Sequence, residues 1–342
     1  MDRKSYHHRP RVLISRPLQS TVIDKISQHC EVRVHPLDEA MPVEMLAQAI
    51  RDVDGLMCVG QRVGKDILEA AAELRVISNV GVGYDNIDVE ACTRRSVLVT
   101  NTPDVLTQAT ADLAFALIMG VARRVVEGDR YVREGCWSHW QWNAMWGADV
   151  YGKTLGLYGF GRIAQATARR GLGFSMRILY HARRRAAERI EKELVAEFVD
   201  CDTLLRKSDF LSLHVPLTPE TRHALNETRL ALMKPTAYLI NTARGPVVDE
   251  AALVQALQRG TIAGAGLDVF EDEPKVHPAL LTMKNVTLLP HVGSATGEAR
   301  LGMAMLATEN LLAALRGETP PNLVNPQALE SGSRFAKRSS PV

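Results

Sequence analysis

The sequence predicts two α/β domains, each a doubly wound parallel sheet. Short apolar runs alternate with helix-period segments from about residue 11 to 325, the pattern expected of βαβ units. The alternation runs as one series through the first hundred residues and restarts near residue 154. The length of 342 residues also exceeds the usual size of a single core.

In chain order, RVLIS, GLMCV, LRVISNV and SVLVT supply the first strands, with helices such as Val43 to Ile50 between them. Asn101, Thr102 and Pro103, in NTPDVL, make a turn and a helix start that mark a boundary. One long helix is expected from Thr107 to about Arg133, crossing from one domain to the other. Its apolar stretch, Leu113 to Ala122, is half the length that a membrane span needs and reads as buried. The second series is TLGLYGFG, MRILYH, DFLSLHVP, AYLINTA, AGAGLDVF and NVTLLPH. Beyond Pro290, Leu301 to Leu315 is helical and apolar. The polar, basic tail over 329–342 is expected to be disordered.

Composition narrows the class. Apolar residues make up 46% and charged residues 23%, as in a globular protein, and a net charge of +2 implies neither a nucleic-acid nor a membrane partner. The start, MDRKSYHHRP, lacks the apolar region of a secretory signal. Cys30, Cys58, Cys92, Cys136 and Cys201 are scattered without a CxxC pair. They suggest small core fillers in a reducing cytoplasm, with no metal site or disulfide framework. All four tryptophans fall in GCWSHWQWNAMW, between Trp137 and Trp146. Four large rings cannot all bury in one small loop, so a subunit interface is expected, with local packing as the alternative.

Residues 154–168 read TLGLYGFGRIAQATA. A strand runs into Gly159, Phe160, Gly161, Arg162, Ile163 and Ala164, the G-x-G-x-x-A pattern of a dinucleotide-binding turn. Gly159 permits the tight turn, Gly161 admits a pyrophosphate, and Ala164 lets the helix pack closely. The helix N-terminus then offers N–H groups to the phosphates. About 20 residues on, where an NAD site carries Asp or Glu to hold the ribose 2′-OH, stands Ala182, followed by Arg183, Arg184 and Arg185. No carboxylate repels a 2′-phosphate there, and guanidinium groups are at hand to clamp one. NADPH is therefore expected, with NADH the weaker alternative, unless the arginines only open a solvated helix.

The motifs NVGVGYDNID (79–88), GFGRIA (159–164), HVPLTPET (214–221), NTARGPVVDE (241–250), GLDVFEDEP (266–274) and PHVGSAT (290–296) occur in one order over about residues 10–325. Together they resemble the D-isomer-specific 2-hydroxyacid dehydrogenase family, and within it the glyoxylate/hydroxypyruvate and 2-ketogluconate reductases. The resemblance implies a Rossmann nucleotide-binding domain, 103–290, inserted into a flavodoxin-like substrate domain of 10–102 and 291–328, with the substrate in a cleft and the chain a homodimer. It also implies three catalytic residues, Arg244, Glu273 and His291, each just past a strand end.

The residue types suit the chemistry. Reducing a 2-keto acid to a D-2-hydroxy acid needs a hydride from the nicotinamide and a proton for the carbonyl oxygen. His291 would give the proton, Glu273 would orient the ring and favour its charged form, and Arg244 would bind the substrate and polarise its C2 carbonyl. Glu273 is preferred over Glu271 and Asp272, expected to be exposed loop charges, because it lies 29 residues after Arg244, the spacing that the family pattern implies. By the same resemblance Val82 and Gly83 belong to a loop whose N–H groups hold the substrate carboxylate. Val82 stands where phosphite-oxidising relatives carry lysine, which argues against that activity. Thr110, Arg162, Ile163, Pro216, Thr221, Ala243 and Asp268 are implied cofactor contacts, Asp268 accepting from the nicotinamide carboxamide. Two alternatives stay open: an NAD-dependent oxidising enzyme of the phosphoglycerate dehydrogenase type, against which Ala182 argues, and a non-enzymatic NAD(H)-sensing regulator of the same fold.

Overall fold

A computed structural model describes residues 9–330. Most of the expected disordered tail therefore lies outside the described residues. Leu329 and Glu330 depart from that expectation and end a short helix, Gln327–Glu330, anchored by the buried Ala328. The chain forms two compact units. One is built from both ends of the chain, up to Leu106 and from Thr296 onward; the other is Thr107–Ala295.

The first unit holds a parallel sheet of β1 (Arg11–Ile14), β2 (Glu31–Val34), β3 (Gly55–Cys58), β4 (Val76–Asn79) and β5 (Leu98–Thr100), in the order β2-β1-β3-β4-β5. That is the flavodoxin-like order. β3, β4 and β5 are wholly buried, which is why they read as unbroken apolar runs. Leu13, Leu56, Ile77 and Val99 pack on one face with Leu46, Ile50 and Leu68. The helix Gly297–Leu315 completes the unit, its Ala307 carbonyl accepting from the buried Ser78 hydroxyl at 2.7 Å.

The second unit holds β6 (Thr154–Tyr158), β7 (Arg177–His181), β8 (Ala196–Phe198), β9 (Phe210–Leu213), β10 (Tyr238–Asn241), β11 (Gly264–Leu267) and β12 (Val286–Leu288). All pair in parallel, in the order β12-β11-β10-β9-β6-β7-β8. The chain moves outward from β6 to β8, then restarts on the other side of β6, so the order reverses between β6 and β9. This is the Rossmann arrangement with one added strand. Side chains alternate across the sheet: Leu239 joins the core beneath Leu253 and Leu257, and Ile240 joins Phe115, Leu117 and Ile118 on the opposite face.

The long helix expected over 107–133 is two helices, Thr107–Ala122 and Val125–Arg133. Arg124 breaks it in the left-handed region at φ 53°. The Ala122 carbonyl accepts from the Ala148 N–H instead of continuing the helix, and the Gly147 backbone packs against it. Thr107–Ala122 lies within the second unit, packed on β10 and β11. Among the described residues, no helix is long and apolar enough to cross a membrane.

Candidate active site

All seven strands of the second unit end at the same edge of the sheet, because all are parallel. The segments that leave them carry nearly every candidate residue: Gly159 to Ile163 after β6, Ala182 to Arg184 after β7, Pro216 and Thr221 after β9, Ala243 and Arg244 after β10, Asp268 and Glu273 after β11, and His291 after β12. The reversal of strand order between β6 and β9 falls at this edge, the position where such sheets usually bind ligands.

The turn after β6 suits a dinucleotide. Gly159 has φ 96°, where an L side chain is strained, and a Cβ there would strike the His214 carbonyl. A Cβ on Gly161 would meet nothing within 4 Å, so space lies beside the start of the 12-residue helix Arg162–Gly173. No side chain caps that helix. Its first N–H groups are thus available to a pyrophosphate. Past β7, Arg183 and Arg184 are exposed and Ala182 half-buried. Arg185 is not available as the sequence suggested. Its guanidinium holds the Glu191 carboxylate with bonds of 2.9 and 3.1 Å, and Glu191 also accepts from the buried Tyr180 hydroxyl at 2.6 Å. The Thr221 hydroxyl donates to the Pro216 carbonyl at 2.7 Å, tying the loop after β9.

The turns after β10, β11 and β12 are braced from within. The buried Asn241 accepts from the Ala243 N–H and donates to the Arg244 carbonyl, both at 3.0 Å, shaping the turn that presents Arg244. His291 sits in the left-handed region at φ 54°, a backbone state that costs about 1–2 kcal/mol. Three bonds offset it: the His291 N–H to the Asp268 carbonyl at 2.8 Å, and the Val292 and Gly293 N–H groups to the Asp268 carboxylate at 2.7 and 2.8 Å. Asp268 thus already bonds the turn that presents His291, a role that sequence reasoning missed. Burial raises the Asp268 carboxyl above the usual value, against the pull of those N–H groups. Thr110 packs against Gly293 of the same turn.

Glu273 and His291 meet. The His291 Nδ1 and a Glu273 oxygen are 2.7 Å apart, and the other Glu273 oxygen accepts from the Phe270 N–H at 3.0 Å. Burial pushes the Glu273 carboxyl up, but the bond and charge of His291, the Phe270 N–H and the Arg244 charge outweigh it and leave it below its ordinary value. With Nδ1 engaged, Nε2 is the nitrogen left to face a small molecule, and half of the ring remains exposed. Asp272 is the exposed loop charge expected, but Glu271 is not: it is partly buried and bonded to Glu250 and His223.

In the first unit the loop after β4 is shaped by amides. Asn79 donates to the Gly83 carbonyl at 2.8 Å, Asn101 to the Val82 carbonyl at 2.9 Å, and the Thr102 N–H to the Gly81 carbonyl at 3.0 Å. With these carbonyls occupied, the loop is fixed in one conformation. Asn79 was not singled out by sequence, and Asn101 only as part of the turn that marks the boundary, although both stand at strand ends. Trp137, Trp140, Trp142 and Trp146 are 59%, 71%, 73% and 67% exposed, so local packing does not account for them. Cys30, Cys58 and Cys92 are core fillers as expected, whereas Cys136 is exposed.

Residues 115–293 match the family model for the D-isomer specific 2-hydroxyacid dehydrogenase, NAD binding domain. The chain is 52% identical over 327 residues to a glyoxylate reductase of Thermococcus kodakarensis, covering 94% of this chain and 98% of that protein. A crystal structure from Thermus thermophilus superposes with TM-score 0.85 at 45% identity, covering 92% of this chain and 99% of that one. An NADPH-dependent glyoxylate/hydroxypyruvate reductase of Sinorhizobium meliloti, solved with NADP and malonate, superposes with TM-score 0.84 at 36% identity over 94% of this chain and 98% of its own. The chain belongs to the D-isomer-specific 2-hydroxyacid dehydrogenase family and is an NAD(P)H-dependent dehydrogenase.

Proposed function

We propose that the protein reduces small 2-keto acids, glyoxylate and hydroxypyruvate foremost and 2-ketogluconate as a further substrate, to D-2-hydroxy acids with NADPH. The observation that carries this reading is the 2.7 Å contact between Glu273 and His291 at neighbouring strand ends. When bound, the nicotinamide supplies the hydride to C2. His291 donates the proton from Nε2 to the carbonyl oxygen. Glu273 holds Nδ1–H, which orients the ring and balances its charge. Arg244 pairs with the substrate carboxylate and polarises the C2 carbonyl. The Val82–Gly83 loop of the first unit is read as a carboxylate-binding loop that works through its backbone N–H groups.

The unit Thr107–Ala295 would carry the nucleotide, with Gly159, Gly161, Arg162 and Ile163 at the pyrophosphate. Thr110, Pro216, Thr221, Ala243 and Asp268 would line its nicotinamide half. Arg183 and Arg184 are read as the 2′-phosphate clamp, because no acidic residue competes at Ala182. One charge-assisted bond of about 1.5–3 kcal/mol favours NADPH on the order of tenfold to a hundredfold. The exposed tryptophans are read as a homodimer surface, and the cytoplasm as the working compartment. The test is loss of absorbance at 340 nm with NADPH and, separately, NADH, offered with each of the three keto acids. Rapid NADPH oxidation with one of them supports the reading; equal kcat/KM for both cofactors refutes the NADPH preference. No oxidation with any of them favours a regulator of the same fold.

A further inference from the structure

The segments that carry Arg244 and Glu273 come from different strands, yet they are fastened to each other. A Cβ on Gly245 would collide with the Phe270 carbonyl, so only glycine lets the two backbones approach this closely. Five residues on, the fastening becomes reciprocal. The Glu250 N–H donates to the Glu271 carboxylate at 3.1 Å, and the Glu271 N–H donates to the Glu250 carboxylate at 3.0 Å. The second Glu250 oxygen accepts from the His277 N–H at 3.0 Å, beyond Glu273 on the far side of the loop. The second Glu271 oxygen lies 2.6 Å from His223 Nε2, with Arg222 at 3.5 Å. The two carboxylates thus grip the loop on both sides of Glu273.

We propose that Glu250 and Glu271 form a reciprocal carboxylate clasp that positions Glu273 against His291 and fixes its distance from Arg244. Neither residue reaches the reacting atoms, so both act as positioning residues. The clasp rests on the reading of Glu273 and His291 as the acid–base pair. Its physical basis is that a one-ångström displacement of a catalytic group costs on the order of a hundredfold in rate, and the clasp ties the loop between Phe270 and His277 to the segment after β10, beside the contacts of Glu273 with His291 and of Glu271 with His223.

The test is a cycle of Glu250→Ala, Glu271→Ala and the double variant, with Glu271→Gln as the conservative change, in the full chain. Each alanine variant is expected to lower kcat for glyoxylate by on the order of tenfold to a hundredfold while the KM for NADPH holds. The double variant should be little worse than either single one, because breaking one half loosens the other. Glu271→Gln keeps an acceptor for the Glu250 N–H and should recover part of the loss. Loosening also removes the bonds of Glu273 with His291 and Phe270 and weakens the pull of the Arg244 charge, with Asp268 as its remaining charged neighbour. The acidic limb of kcat/KM therefore moves to higher pH. A role in stability alone would lower Tm, leave that limb in place and give additive losses, and that result overturns the clasp. Hydrogen exchange at the Phe270 amide, which reports where Glu273 sits, separates the two readings. If the wild type oxidises NADPH with no keto acid but Glu271→Ala unprotects Phe270, the functional reading fails and the clasp stands. If Phe270 stays protected, the clasp fails whatever the activity.

Discussion

The two halves of the sheet edge are built differently. Past β6 and β7, the turns are open: Gly161 faces empty space, the following helix has no side-chain cap, and Arg183 and Arg184 point into solvent. Past β10, β11 and β12, the side chains of Asn241, Asp268, Glu250, Glu271 and Glu273 all bond backbone N–H groups of those turns or of the helix that follows. A long anionic ligand brings its own oxygens and orders what it touches. Proton transfer instead depends on geometry fixed beforehand. The difference matches the proposed roles, with the open half for recognition and the braced half for chemistry.

The sharpest way to break this division is at His291. Its change to Ala should lower kcat by about a thousandfold or more while NADPH still binds. Fluorescence titration of the cofactor alongside the rate measurement checks both, and a near-native kcat would end the assignment. Next comes Glu273→Gln, expected to cost about a hundredfold in kcat. Glu273 is held below its ordinary value, so it stays ionised as the pH falls and loses its charge only below the usual carboxylate range. The wild-type acidic limb of kcat/KM should lie there, and the variant, which has no group to titrate, should lose that limb. In the open half, Arg183→Ala with Arg184→Ala should reduce the NADPH-to-NADH ratio of kcat/KM by on the order of tenfold to a hundredfold and leave NADH turnover alone. The smallest effect belongs to Trp142→Ala. At 73% exposure it should change stability by no more than about 0.5 kcal/mol. Sedimentation should nevertheless show a weakened dimer; an unchanged association constant would remove Trp142 from the interface.

Strands buried on both faces were legible because burial forces an unbroken apolar run, as in GLMC and LVT. The two strands that escaped sequence reading, β2 and β8, lie at sheet edges. There EVRV and AEF alternate with solvent and carry no such run. The break at Arg124 was equally hidden, since it depends on Ala148 reaching Ala122 from a distant loop. At the site, Arg244, Glu273 and His291 stood out through motifs and strand-end positions. Their braces did not, because Glu250, Glu271 and Asp268 act through backbone N–H groups that any residue type supplies. An acidic run such as EDE looks alike whether its first member is solvated or clasped.

The first unit takes its strands from the start of the chain and its covering helix, Gly297–Leu315, from near the end. During synthesis β3 and β4 therefore emerge long before the helix whose Ala307 and Leu311 pack on them. Made at ordinary rates, the intervening Thr107–Ala295 delays that helix by on the order of tens of seconds. The contiguous unit can finish folding in that interval, while the earlier sheet waits half covered with apolar surface open to other chains. A nascent polypeptide released before residue 297 would thus carry one finished unit and one adhesive one.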